Sequence, residues 1–198
     1  PAYEGKASYS FAVNDVTGKV WVSGIANKVG QLNTYGSATI GGTAFNGSAT
    51  GRKNNDSIAY AGDIGANVNF AGFGLTGYYY AGNGIGTTGQ FLNGYGLSGT
   101  AGQLEARDSQ GGYVQAKYTL PTKTIVALSW GKSQLDQASG ESTNTALVDY
   151  NEMTDAMLIH PLTKHLNLVG EYSIMKSRNQ DGDGNQSNTG SLGAILFF

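Results

Sequence analysis

The feature that most constrains this chain is the alternation between Ile58 and Ala81. Ile58, Tyr60, Gly62, Ile64, Ala66, Val68 and Phe70 fall on one parity, and Asp63, Gly65, Asn67 and Asn69 on the other. After Ala71 and Gly72 the pattern resumes, with Phe73, Leu75, Gly77, Tyr79 and Ala81 opposed to Gly74, Thr76, Tyr78 and Tyr80. A period of two belongs to an extended strand, whose side chains point alternately to opposite faces. Two such runs on either side of a short break make a hairpin with one apolar and one mostly polar face.

The same grammar recurs along the chain. Tyr3, Gly5, Ala7, Tyr9, Phe11 and Val13 oppose Glu4, Lys6, Ser8 and Ser10. Residues 19–28 are strand-like, but Val20 and Val22 compete with Trp21 and Ile25, so their faces stay unassigned. In residues 112–120, Val114, Ala116 and Tyr118 oppose Tyr113, Gln115 and Lys117; in 124–133, Val126, Leu128 and Trp130 form the outer set. Residues 147–159 alternate weakly because Asp149, Glu152 and Asp155 blur the faces. Leu166, Leu168, Gly170, Tyr172 and Ile174 then oppose His165, Asn167, Val169, Glu171 and Ser173. The last run, residues 188–198, puts Gly190, Leu192, Ala194, Leu196 and Phe198 on one face.

The connections carry further information. Short turns at 14–18, 71–72, 121–123 and 160–164 alternate with long polar loops at 30–57, 82–111, 134–145 and 177–187, which lack a continuous apolar face. Outer-membrane barrels place short turns on the periplasmic side and long loops outside. On that rule Phe198 ends at the periplasmic rim. Tyr60 and Phe70 are separated by about the height of the lipid-facing band, ~25 Å for a strand tilted by ~40°. The aromatics expected at the membrane interfaces are Phe11, Phe70, Phe73, Tyr118 and Phe198 below, Tyr3, Tyr60, Tyr79 and Trp130 above, and Tyr172.

Composition excludes several classes. With 31 Gly, 12 Tyr, no Cys, 13% charged residues and a formal net charge of -2, the chain offers neither a disulfide framework nor a basic nucleic-acid surface. No apolar run approaches the ~18 residues of a helical membrane span. No leader precedes Pro1, so a signal peptide is expected to have been removed or to lie upstream.

The hairpin at residues 65–81, the turn His160-Pro161-Leu162-Thr163-Lys164 followed by Glu171-Tyr172-Ser173, and the terminal residues Gly193 to Phe198 resemble the C-terminal half of Gram-negative general diffusion porins. In that family the turn reads Tyr-Pro-Leu-Ser-Lys; here His160 and Thr163 depart from it. The resemblance implies an all-β transmembrane antiparallel barrel and a passive, water-filled channel for small hydrophilic solutes and ions in the bacterial outer membrane. It also implies a homotrimer, contacts with outer-membrane lipid and lipopolysaccharide, and recognition of the last strand by the barrel assembly machinery. A cofactor, a metal and a catalytic residue are not expected. The alternation gives nine strands, an odd number that a closed barrel of this class does not use. The expectation is therefore one barrel domain over residues 1–198, incomplete, the C-terminal part and about half of a sixteen-stranded wall whose N-terminal strands and inward-folded third loop lie elsewhere. A ten-stranded barrel with a further strand in residues 32–45 is the weaker alternative.

Parity then nominates Glu4, Lys6, Asp63, Asn67, Lys117 and Glu171 as pore-lining. Charges projecting into a low-dielectric tube bias which ions enter. Sharper motifs are set aside. Gly84-Ile85-Gly86-Thr87-Thr88-Gly89 matches a dinucleotide pattern but is followed by no helical period. Asp181-Gly182-Asp183-Gly184-Asn185 resembles the start of a calcium loop, yet Leu192 stands where a bidentate Glu is needed. His160 and His165 flank a turn with no nucleophile beside them. Asn46 and Asn55 open glycosylation triplets that an outer membrane leaves unused. Two other readings are a small complete barrel acting structurally or adhesively through its long loops, and a barrel enzyme.

Overall fold

The structure is a computed structural model and describes residues 2–29, 38–40, 43–45, 57–86, 93–97, 104–139, 141 and 147–198. The alternating runs become β1 (Ala2–Val13), β2 (Val16–Val29), β5 (Ser57–Phe70), β6 (Phe73–Asn83), β9 (Asp108–Thr119), β10 (Ile125–Leu135), β11 (Val148–Pro161), β12 (Leu166–Asn179) and β13 (Gly184–Leu196). Short hairpins occupy two of the long connections: β3 (Ala38–Ile40) with β4 (Thr43–Phe45), and β7 (Tyr95–Leu97) with β8 (Leu104–Ala106). The nine long strands pair in chain order into one antiparallel sheet, β1-β2-β5-β6-β9-β10-β11-β12-β13, that is not closed. The hairpin β3-β4 forms a separate two-stranded sheet, so it supplies no tenth strand to the wall.

Every wall strand is 11 to 14 residues long, at or beyond the ~9–11 that a tilted transmembrane strand needs. The lower turns are tight for local reasons. Asn14 takes φ 53° between β1 and β2, a conformation its short polar side chain tolerates. Between β5 and β6 both turn residues have positive φ, 49° at Ala71 and 84° at Gly72, the pattern of a two-residue hairpin turn matched to strand twist.

Register settles the faces that parity left open. Lys6 opposes Ser23 and Ser8 opposes Trp21, so Trp21 and Ile25 share the polar face of β1 while Val20 and Val22 take the apolar one. On β11, Asp155 opposes Ser129 and Ser173 on the polar face, whereas Glu152 lies on the other, between Lys132 and Lys176. One expected loop is corrected. The polar loop at 177–187 is a tight turn at 180–183, because β12 and β13 run on as a hairpin up to Arg178 and Gly184. Polar residues there do not signal a loop: the strand ladder continues through them.

Burial is inverted relative to a water-soluble domain. Ile64, Phe70, Phe73, Leu75, Leu128 and Leu192 lie exposed on the apolar face. The buried apolar side chains among the described residues, Ala59, Ile85, Leu135, Ala138 and Leu147, cluster instead around the upper strand ends and the connections beyond them. Nine of the ten aromatics expected at the interfaces lie on the apolar parity of the wall strands, Phe198 stands past the end of β13, and the heights of several need correction. Phe70, Phe73 and Tyr118 are consecutive cross-strand partners at the bottom, and Tyr3 and Tyr60 both oppose Ala26 near the top. Tyr79 opposes Ile64, Trp130 opposes Val114 and Tyr172 opposes Ala156, all partway up the wall, since register and not loop proximity sets the height of a side chain.

Candidate functional site

The sheet curls so that its polar face becomes concave. Residues from Glu4 on β1 to Met175 on β12 line one cavity of about 1030 Å³. Of the six residues nominated by parity, Glu4, Lys6 and Asp63 line it directly, and Asn67, Lys117 and Glu171 share its face by register. Asp63 accepts a hydrogen bond from the Ser23 hydroxyl. Asn67 donates to Thr76 Oγ1 at 2.7 Å and accepts from Asn69 Nδ2 at 2.6 Å. Lys117 lies across Gly74 beside Asn69, on the same side. The Lys6 ammonium sits 5.5 Å from the centre of the Trp21 ring, within cation–π range.

Parity nominated too few charges. Lys19, opposite Asn67, and Asp155, opposite Ser129 and Ser173, stand on the concave face as well. Asp155 is 8% exposed, and its Oδ1 is without a hydrogen-bond partner. The concave charges therefore mix signs, with Lys6, Lys19 and Lys117 set among Glu4, Asp63, Asp155 and Glu171.

Cross-strand partners point to the same side of a sheet, so the register draws rows across the concave face. The middle row runs Ser8, Trp21, Gly65, Tyr78, Tyr113, Gly131, Met153, Met175, Ser187. The row above it runs Lys6, Ser23, Asp63, Tyr80, Gly111, Ser133, Asn151 and Ser177; the row below, Lys19, Asn67, Thr76, Gln115, Ser129, Asp155 and Ser173. The middle row is thus soft and apolar between two polar ones. Glycine is required where its rings lie flat: a Cβ on Gly65 would fall 2.1 Å from Trp21 Cζ2. Tyr78 and Tyr113 have centroids 5.8 Å apart at 37°, and Tyr78 and Tyr80 6.1 Å apart at 35°. Tyr80 also spans Gly111 to share a 2.5 Å hydrogen bond with Ser133.

At the upper end, the connection after β6 folds onto the concave side. Ile85 is buried and lines the cavity, β8 touches β5, and the concave-facing Ala59 is fully buried. Arg107 fastens this segment: its amide donates to Gly94 O at 2.8 Å, its carbonyl accepts from Gly84 N–H at 2.9 Å, and its Nη1 donates to Asn93 O at 2.7 Å. Its Nε donates to Glu141 Oε2 at 2.9 Å and its Nη2 to Oε1, a bidentate pair almost wholly buried. Burial pushes the Glu141 carboxyl up, but hydrogen bonds from Arg107 and from Ala138 N–H, with the Arg107 charge, outweigh it and hold the group below the ordinary carboxylate range. Part of this connection, at Ile85, thus lies against the cavity.

The motifs set aside take structural places. Gly84 and Gly86 have positive φ, 76° and 73°, in a segment that leads to β7 and to no helix among the described residues. Asp181 caps the β12-β13 turn by accepting from Asp183 N–H at 3.0 Å, with Gly182 at φ 92°. His160 Nδ1 is 2.8 Å from Thr124 Oγ1 and His165 Nδ1 is 3.1 Å from Phe197 O, so the first ties β11 to the β9-β10 turn and the second ties the β11-β12 turn to the residue after β13. Asn46 and Asn55 lie outside the described residues. No group of three or more His, Cys, Asp or Glu able to hold a metal occurs among the described residues.

No protein-family profile matches the sequence, and no curated protein matches it. Among solved structures, the chain is similar to the outer membrane channel DcaP of Acinetobacter baumannii, with a TM-score of 0.76 and 16% identity over 100% of this chain and 51% of that one. The two share a fold, and this chain spans about half the length of that channel.

Proposed function

We propose that this chain forms part of the wall of an outer-membrane channel through which small hydrophilic solutes and ions diffuse passively. The observation that carries the reading is the inverted burial: an exposed apolar face on the outside of a curled sheet whose concave side is polar and hollow. Water punishes such an outer face, whereas hydrocarbon does not, and strands cross a membrane only as part of a closed wall that leaves no edge. Concave hydroxyls, amides and mixed charges keep a lumen wet, and Lys6, Lys19 and Lys117 against four carboxylates make it weakly selective. The fold shared with an outer membrane channel supports this reading. Glu4, Lys6, Asp63, Asn67, Lys117 and Glu171 are its pore-lining polar residues.

On the outside, Lys132, Glu152 and Lys176 form a charged row on β10 to β12, with Lys176 Nζ 3.8 Å from Glu152 and Lys132 4.3 Å from the Tyr150 ring. Such a row suits the lipopolysaccharide headgroup layer, with the interfacial aromatics below it. The channel is a homotrimer, delivered by the barrel assembly machinery through its last strand, and has no catalytic role. Planar-bilayer recording tests the reading: stepwise ionic conductance is expected, and a membrane that stays silent with protein inserted would point to a plugged adhesive barrel. An oligomer that resists SDS until boiled is expected on gels, and one mobility before and after boiling would count against the trimer. Substituting His160 or His165 should leave conductance unchanged.

A further inference from the structure

We propose that the middle row of the concave face is a stacking track for solutes that carry a ring with an apolar face, either the C–H face of a sugar or the π face of an aromatic. The inference rests on the channel reading and names the solute class it favours.

Hydroxyls and amides alone keep a lumen wet, yet one register line places Trp21, Tyr78, Tyr113, Met153 and Met175 across seven adjacent strands, interrupted only by glycines. Tyr78, Tyr113, Met153 and Met175 line the cavity, and Tyr113 and both methionines are exposed within it. Apolar surface turned toward water is unfavourable until something covers it. The covering group is specified by what the track offers. Tyr78 and Tyr113 stand 5.8 Å apart at 37°, so neither ring covers the face of the other. Ring faces carry negative quadrupole charge and attract C–H edges and flat π-systems, and thioethers are polarisable partners for both. Polar rows flank the track on each side at ~6.6 Å, two residues along a strand. A ring lying on Tyr78 and Tyr113 therefore has Tyr80 and, one strand further, Asp63 along one edge, and Thr76 and Gln115 along the other. Because wall strands tilt by ~35–45°, a line perpendicular to them runs oblique to the membrane, so the track is a ramp that a ring can follow without leaving aromatic contact.

The native protein carrying Trp130→Phe, which leaves Trp21 of the two tryptophans in this chain, is titrated in detergent with benzyl alcohol, glucose and glycerol while tryptophan emission is followed. Saturable changes are expected with a ring-bearing solute and none with glycerol. Response to benzyl alcohol alone identifies an aromatic track, and response to glucose as well identifies a track for rings with an apolar face in general. Tyr113→Ser should raise the midpoint about tenfold, the size of one lost stacking contact, while Tyr113→Phe keeps it within about twofold. Emission that changes linearly with solute, or a midpoint indifferent to Tyr113→Ser, overturns the track. Bilayer recordings on the same protein separate the two readings: conductance steps without saturable binding remove the track and keep the channel, and saturable binding without steps removes the channel and keeps the track.

Discussion

The middle of the wall and its upper mouth are built from one chain under opposite rules. Along the wall, Ile64, Leu75 and Leu128 are exposed and the hydroxyls face inward. At the mouth, Leu135 and Ile85 are buried, and a charged pair, Arg107 with Glu141, is buried with them. On the proposed channel reading the wall needs no packed core, because its outer solvent is then apolar and its backbone polar groups are satisfied by the strand ladder. The mouth meets water and must fold as any small soluble unit does, by burying apolar side chains and pairing whatever charge goes with them. The boundary between the two regimes runs through single strands: Leu128 is exposed on β10 while Leu135 on the same strand is fully buried.

That contrast can be broken most strongly at Arg107. Arg107→Ala leaves the Glu141 carboxylate buried without its partner and should weaken the mouth by about 3–5 kcal/mol, read as lost exchange protection at the Gly84 amide. Protection at mid-wall amides such as Val22 should not change; a loss shared by both would mean that the two regions are one cooperative unit. Next in size, Leu128→Arg should cost about 2–4 kcal/mol in denaturant unfolding from lipid vesicles, because it puts a charge where hydrocarbon is expected. The same variant with no loss of stability would remove lipid from that face.

Acid should loosen the mouth through Glu141. The Glu141 carboxyl is held below its unfolded-state value of ~4.3, so its contribution is complete above that pH and is lost as pH falls through the lower folded value. Protection at the Arg107 amide, corrected for intrinsic exchange, should decline only below about pH 4.3. The smallest effect sits at a lower turn. Ala71 adopts φ 49°, which a Cβ disfavours, and Ala71→Gly should stabilise the wall by about 0.5–1 kcal/mol in the same denaturant assay, the relieved clash being partly offset by glycine entropy.

The residues of Ile58 to Ala81 announce strand, turn and face without help, and Glu4, Lys6, Asp63, Asn67, Lys117 and Glu171 follow from parity. Trp21 shows where this reading stops. Val20, Trp21 and Val22 are all plausible on either face of a strand, and only pairing with Ser8 and Gly65 turns the indole inward. Parity also placed Tyr78 and Tyr113 on the polar side, but nothing local joined them to each other or to Met153 and Met175. The Arg107–Glu141 pair lay in polar loops with no periodic signal at all.

The sequence by itself determined the strand character of most wall segments and, where the alternation is clean, which side chains share a face, because alternation is a property of neighbours along the chain. Tertiary structure decided which side chains stand at the same height, that Trp21, Tyr78, Tyr113, Met153 and Met175 fall on one register row, and that Ile85 lies against the cavity. Those are relations between residues far apart in sequence, set by register, curl and loop packing that no local pattern encodes.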